Sequence, residues 1–326
     1  MNKRVICIGN ALTDVIKVID NDNILTDLDL PKGSMQMVDA DTQKRLLELT
    51  ERYSAAMVGG GSAANTAYTI ANLGIDTAYV GVVGADGYGD FFIRDLERSG
   101  VHPVVSKSNN SSTGIALTFV SQDGERTFAT NLGAALDLNP SLLNEDDFKN
   151  YDYVHIEGYL VYNRPLTEAV FSIAERNGLK TSIDLASYNV VTENKDFITS
   201  LCKRANIVFA NQDEALALTN LAPEQAVEQI ASYCDISVVK IGERGSLISN
   251  KENVFSLQAD TNRKKLDTTG AGDMYAGGFL AALSQDLDLP TCGRWGSIVA
   301  GGVVEVLGTK MDAHCWEVIR QKIDAK

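Results

Sequence analysis

Short apolar runs rich in Val, Ile and Tyr recur along the chain at 5–8, 77–83, 153–156, 181–183, 207–209 and 237–241. Between them lie stretches whose apolar positions repeat at helical spacing, at 62–73, 89–98, 166–177, 214–219 and 223–233. Strand and helix in steady alternation predict a parallel sheet with both faces covered by helices. The rhythm breaks in two places. Residues 14–19 alternate Asp, Val, Ile, Lys, Val, Ile, and 113–120 and 126–130 flank the turn Gln122-Asp-Gly-Glu with no helix between them. Asp-Gly between two such runs signals a hairpin. These strands predict a small β-sheet lid, built from segments about 13–39 and 105–131, standing off the main domain. After Asp267 the pattern turns helical, at about 271–285, 292–307 and 313–323. Six prolines, no low-complexity linker and no solenoid repeat leave one α/β domain, 1–326, with an inserted lid.

Composition narrows the partners. With 326 residues and 44% hydrophobic side chains the chain can bury a large core. A formal net charge of −14 excludes a broad basic face for nucleic acid or an anionic membrane. Cys7, Cys202, Cys234, Cys292 and Cys315 are odd in number and widely spaced, which predicts reduced thiols. His102, His155 and His314 are too dispersed for a zinc site. The apolar stretch after Met1-Asn-Lys-Arg reads as a buried strand, not a signal peptide, and no run is long enough to span a bilayer. These features predict a soluble, cytoplasmic protein acting on small molecules, with monomer and homodimer both open.

Two glycine-rich junctions carry the candidate chemistry. The first is Asp267-Thr-Thr-Gly-Ala-Gly-Asp273, followed at once by an apolar helical run. A glycine-rich turn opening a helix directs backbone N–H groups at an anion, and Gly270 and Gly272 let that backbone come close. Asp273, in the first helical turn, then stands beside the anion where it can accept a hydroxyl proton, which suits phosphoryl transfer to an alcohol. The alternative is a plain helix cap. The second junction, Val58-Gly-Gly-Gly-Ser-Ala-Ala-Asn65, also satisfies Gly-x-Gly-x-x-Ala at Gly59, Gly61 and Ala64. A dinucleotide site expects an acid at the end of the next strand, yet none occurs before Asp86, so that reading is weak. No Walker-type Gly-x-x-x-x-Gly-Lys-Ser/Thr is present. Asn65 places a polar amide in a small, apolar helix, where it can donate and accept towards vicinal hydroxyls.

Gly60-Gly61-Ser-Ala-Ala-Asn65 and Asp267-Thr-Thr-Gly-Ala-Gly-Asp273 resemble the two signatures of the ribokinase-like (PfkB) carbohydrate and nucleoside kinase family, in the same order and over nearly the whole chain. Lys32-Gly-Ser-Met-Gln36-Met-Val-Asp39, Glu157-Gly-Tyr-Leu160 and Phe209-Ala-Asn-Gln-Asp-Glu-Ala-Leu216 look most like bacterial adenosine kinases. The resemblance implies a three-layer sandwich with a mainly parallel sheet, a β-sheet lid, and ATP- and Mg²⁺-dependent kinase activity. It implies that Asp273 is the base and that Gly270, Ala271 and Gly272 form the anion hole, with the lid residue Arg126 reaching the triphosphate. Asp14, Gly60, Gly61 and Asn65 would grip the sugar. Asn211 and Glu214 would help place phosphates and Mg²⁺, largely through water; the same pair also reads as a helix-capping box. Lys240, Gly242, Gly245, Thr268 and Gly302 would flank the nucleotide, and Asp267 is the place where some members bind K⁺. Sugar-kinase members often carry lysine after the N-terminal glycine pair; Ser62 stands here, as in nucleoside-type members. Met35, Gln36, Met37, Val38, Tyr159 and Leu160 are candidate walls of a slot for a nucleobase, with Gln36 reading its edge. The expected reaction is phosphorylation of a ribose primary hydroxyl, adenosine to AMP, with a free sugar or sugar phosphate as the alternative acceptor and a non-catalytic sensor as a distant third.

Overall fold

The computed structural model describes residues 3–260 and 265–325. Its strands, in chain order, are β1 Val5–Ile8, β2 Leu12–Val18, β3 Met35–Met37, β4 Ala55–Gly60, β5 Thr77–Gly84, β6 Val101–Ser108 and β7 Gly114–Val120. They continue with β8 Arg126–Asn131, β9 Tyr153–Ile156, β10 Lys180–Asp184, β11 Ile207–Asn211, β12 Ile236–Lys240, β13 Ser246–Ser249 and β14 Val254–Leu257.

Nine strands form one sheet in the order β14-β13-β12-β11-β10-β9-β1-β5-β6. The seven from β12 to β6 run parallel, and β13 and β14 add an antiparallel edge. Burial on both faces explains the unbroken apolar runs that mark these strands in the sequence. Ile6, Ile8, Val154 and Ile156 pack on one side under the helix Arg164–Asn177. Val5, Cys7, Tyr79 and Phe209 pack on the other, under Ser62–Asn72 and Ala271–Leu283. Those two helices meet closely because Gly277 has no side chain: a Cβ there would stand 2.4 Å from the Thr69 Cβ.

The strand order reverses at β1, with β5 and β6 laid down on one side and β9 to β12 on the other. Ligands of open α/β sheets sit beyond the C-terminal strand ends at such a reversal. Here Asn10 follows β1 and Glu157 follows β9, and the Asn10 Nδ2 donates to Glu157 Oε1 at 2.6 Å.

Five strands form the second sheet, β3-β8-β7-β2-β4. It incorporates β4, which lies outside the segments 13–39 and 105–131, whereas β6 belongs to the large sheet. Residues 55–60 read in the sequence as the strand leading into the second glycine junction; pairing with β2 places that strand in the small sheet. One face of this sheet is apolar, with Val15, Leu117, Phe119 and Ala129 packed under Leu46 of the helix Ala40–Leu49. The opposite face turns towards the C-terminal edge of the large sheet. Among the described residues no helix is long and apolar enough to cross a membrane. The five cysteines are unpaired.

Candidate active site

The helix Ala271–Leu283 begins at Gly270, whose left-handed backbone (φ +72°) suits glycine, and no side chain caps it. Thr309 packs directly over this turn; a Cβ on Gly270 would lie 2.5 Å from the Thr309 Cγ2. A Cβ on Gly272 would stand 3.0 Å from the Lys240 Nζ, so the second glycine leaves a cradle between the turn and that cation. Ala271 N–H is donated to Thr268 O at 3.2 Å, a contact within the turn. This glycine cradle beside a lysine fits the phosphates of a nucleotide.

Asp273 stands one turn into the helix, and both carboxylate oxygens are held. Ser62 Oγ donates to Oδ1 at 2.7 Å, and Asn65 Nδ2 donates to Oδ2 at 3.0 Å. Burial, reinforced by the nearby Asp184 charge, pushes its carboxyl up to about 6, against the pull of these two donors and Lys240. The two glycine junctions, more than two hundred positions apart, thus meet on one carboxylate. Asn65 Oδ1 and Thr309 Oγ1, next to it, are buried without a partner among the described residues, an arrangement that calls for a polar ligand.

Behind the glycine turn the C-terminal ends of β10, β11 and β12 bring Asp184, Asn211, Glu214 and Lys240 together. Lys240 Nζ donates to Asp184 Oδ2 at 2.8 Å. Burial works against the charge on Lys240, yet Asp184 and Glu214 outweigh it and hold the ammonium above its ordinary value. Glu214 closes a capping box: its carboxylate accepts from the Asn211 backbone N–H (2.7 Å) and from Nδ2 (2.6 Å), while Asn211 Oδ1 accepts from Glu214 N–H (2.9 Å). Burial and the charge of Asp184 push Glu214 up to about 7. With both oxygens engaged, this pair suits a hydrated Mg²⁺ held through water rather than direct ligation. Glu157 is likewise pushed up to about 7 by burial; its Oε2 accepts from Ala63 N–H at 3.2 Å, anchoring the start of the Ser62–Asn72 helix.

Strand register decides which lid residues face this centre. The pairings Met37↔Thr130, Thr130↔Ala116, Ala116↔Asp14 and Asp14↔Val58 form one cross-strand row. The adjacent row, Gln36–Ala129–Leu117–Val15, points to the opposite face, where Val15, Leu117 and Ala129 are core. Asp14 therefore shares the cleft face with Met35 and Met37, whose side chains are 65% and 61% exposed. Gln36 lies on the far face with its Nε2 donating to Ser34 Oγ at 3.3 Å, which corrects the expectation that it lines the slot. Val38 packs against the lid core and Leu160 against the core of the main domain, so neither is a cleft wall. Tyr159, 40% exposed, stands over the acidic cluster; burial and the charges of Glu157, Asp184, Asp273 and Glu214 push its hydroxyl up to about 12. Gly60 leaves room for Asp14: a Cβ would fall 2.4 Å from its Oδ1. Burial pushes Asp14 up to about 7, opposed by Lys310 and Arg126. Gly61 (φ +96°) brings the chain onto Asn10 O, where a Cβ would fall at 2.2 Å.

Arg126 reaches from the lid to the glycine-rich turn, with its Nη2 2.9 Å from Asp267 Oδ2. Gly242 (φ +62°) has open space where its side chain would be, whereas Gly245 packs on Leu257 O. Gly302 is buried, with a Cβ position 2.7 Å from Ile319 Cδ1; it serves helix packing and does not face the cleft. Thr268 is exposed. Several site residues carry no role in the sequence reading. Asp184 ends a parallel strand, a position that itself signals function. Ser62 and Glu157, quoted in the resemblance without a role, gain one through their contacts. Thr130 and Lys310 become visible only through theirs: Thr130 Oγ1 is buried and unpartnered among the described residues in the Asp14 row, and Lys310 Nζ lies 3.2 Å from Asp95 and 4.0 Å from the Tyr68 ring centroid.

The family description "pfkB family carbohydrate kinase" matches residues 33–314. A probable sugar kinase from Rhizobium etli CFN 42 superposes with a TM-score of 0.87 at 34% identity, over 98% of this chain and 99% of its own. The adenosine kinase of Sinorhizobium meliloti does so with a TM-score of 0.86 at 32% identity, over 98% and 99%. A nucleoside kinase of Methanocaldococcus jannaschii is 28% identical over 278 residues, 83% of this chain and 87% of that protein. A glycine turn that presents an aspartate to a lid-covered cleft, on this sheet and in this sequence frame, makes the chain a member of the PfkB family of sugar and nucleoside kinases.

Proposed function

We propose that this kinase transfers the γ-phosphoryl group of ATP to the primary hydroxyl of a ribose-containing acceptor, and that the acceptor is adenosine. The observation that carries the reading is the alignment of Asp273, held by Ser62 and Asn65, with a lid face on which Asp14 lies among exposed methionines. ATP with Mg²⁺ supplies the phosphoryl group and charge compensation when bound; Gly270, Ala271, Gly272, Lys240, Asn211 and Glu214 are the residues that would hold them. Asp273 takes the hydroxyl proton as the new P–O bond forms, the role of a positioned carboxylate in this chemistry. Ser62 and Asn65 fix its orientation, and the unpartnered Asn65 Oδ1 is placed to accept from a sugar hydroxyl. Asp14 and Thr130 offer further hydroxyl partners, and the lid excludes water from the reacting groups.

Two observations favour a neutral nucleoside over a sugar phosphate. Met35 and Met37 offer apolar surface next to the Asp14 row, and such exposed surface suits a flat base. The cations whose charges reach Asp14, Arg126 from the lid and Lys310 from the main domain, are each already paired with a carboxylate, Asp267 and Asp95. The likeness to the Sinorhizobium meliloti adenosine kinase supports the same acceptor, while the likeness to a probable sugar kinase keeps a free sugar as the second reading. ADP release measured against adenosine, other nucleosides, ribose and fructose 6-phosphate tests it. Adenosine is expected to lead in kcat/KM by about 10²-fold or more, on the order of 3 kcal/mol. Faster turnover of a free sugar or sugar phosphate overturns the adenosine assignment.

A further inference from the structure

Some members of the family place K⁺ at the aspartate that opens the glycine-rich motif, and the residues around Asp267 here do not fit such an ion. Asp267 Oδ1 accepts from Thr269 N–H at 3.0 Å and from Thr269 Oγ1 at 2.8 Å. Asp267 Oδ2 accepts from Gly308 N–H at 2.8 Å and faces Arg126 Nη2 at 2.9 Å. Three hydrogen bonds thus fall on the carboxylate, and the Arg126 guanidinium stands against it as a charge partner without itself making a hydrogen bond there. The guanidinium and the carboxylate are 10% and 6% exposed, so the pair is shielded from solvent. A second cation placed there would meet the Arg126 charge at short range in a medium that screens it poorly.

We propose that Arg126 is the resident counter-cation of Asp267, and that this kinase therefore works without a monovalent metal ion. The contact joins β8 of the lid to the turn three residues before Gly270, so the charge that steadies the anion-binding turn arrives with the lid. Gly308 strengthens the link from a third segment: its N–H is bonded to Asp267, and the position of its missing side chain lies 3.4 Å from Ile16 Cδ1 on the cleft face of β2. Arg126 is thus a positioning residue that acts through Asp267 on the turn. An open lid leaves Asp267 without its cation, which couples the order of the turn to lid closure.

The inference rests on the kinase reading only for its rate measurements; binding of the ion is read separately. Thermal unfolding and ADP release are measured in KCl and in tetramethylammonium chloride at equal ionic strength. The natural protein is expected to show the same midpoint in both salts within about 1 °C and the same kcat within about twofold. Arg126→Ala opens the carboxylate, so K⁺ should raise its midpoint by about 3 °C or more over tetramethylammonium. Its kcat should fall by about tenfold in tetramethylammonium and recover by about threefold or more in K⁺. Arg126→Gln, which keeps bulk and donors without the charge, should behave like the alanine variant and serves if that one fails to fold. Arg126→Lys keeps the charge and should stay indifferent to K⁺. A K⁺-specific rise in midpoint or rate in the natural protein overturns the proposal, as does indifference to K⁺ in both neutral variants. If no acceptor is turned over but the neutral variants gain the K⁺-specific midpoint shift, the kinase reading fails and the counter-cation stands.

Discussion

In the proposed mechanism Asp273 links stability and catalysis through one proton. Its carboxyl is raised from an ordinary value of 3.8 to about 6, first by burial and then by Asp184, despite the Ser62 and Asn65 hydrogen bonds. The base must be ionised to accept a proton, so kcat is expected to fall as pH drops through 6, by about tenfold per unit on the acid side. A carboxyl at about 6 is mostly ionised at pH 7, the form that the proposed role needs. Asp273→Asn removes the acceptor and sets an amide N–H against one of its two donors. We expect kcat to fall by about 10²-fold or more, about 2.7 kcal/mol in barrier, with loss of the acid limb and little change in KM for ATP. The stability effect has the opposite sign. A carboxyl raised in the folded state contributes stability that is complete below its unfolded value and is lost as pH rises through its folded value. The neutral amide has no such loss. The upward shift amounts to about 3 kcal/mol by pH 8, and discounting for the side open to the cleft leaves on the order of 1–2 kcal/mol. Relative to the natural protein, Asp273→Asn should therefore gain in unfolding midpoint between pH 5 and pH 8. Stopped-assay ADP release from pH 5 to 8.5 and calorimetry over the same range test both halves. Near-normal turnover, or an acid limb retained in the variant, refutes the base role; a variant that loses midpoint towards pH 8 refutes the account of the shift.

Gly270→Ala should keep the fold but cut kcat by about tenfold or more, because a left-handed backbone costs a non-glycine residue about 1–2 kcal/mol and the new methyl meets Thr309 Cγ2 at 2.5 Å; an unchanged kcat means the turn is not held in this shape. Met37→Ala should weaken adenosine use, seen as a rise in KM of about tenfold, whereas Gln36→Ala on the other face should change KM by less than about twofold; the reverse order sinks the register argument. Acceptor binding should slow amide exchange in 114–131 while Val5–Ile8 changes little; uniform protection, or none, removes the closing lid.

The contrast between Met37 and Gln36 also shows where a linear reading stops. Four adjacent residues, 35–38, read equally well as walls of a base slot, because sequence gives the strand but not the face that is covered. Pairing with β8 puts Met35 and Met37 beside the cleft, Gln36 on the opposite face and Val38 against the lid core, since a strand's side chains alternate. Gly302 illustrates the same limit on a helix, where only packing against Ile319 separates a structural glycine from a ligand-facing one.

Local chemistry was enough for the parts that depend on a few neighbouring residues. Alternating apolar runs defined the parallel sheet and the hairpin of the lid, and Gly-Ala-Gly before Asp273 announced a glycine-opened helix start, because glycine's freedom and the unpaired helical N–H groups are properties of the segment itself. Tertiary structure alone decided the rest. Ser62 and Asn65 meet Asp273 across more than two hundred positions, Lys240 finds Asp184 at neighbouring strand ends, and Arg126 crosses from lid to turn to meet Asp267. Charge and burial around each group come from elements remote in sequence, and the raised carboxyls of Asp14, Glu157, Glu214 and Asp273 exist only once the fold has removed water and set them side by side.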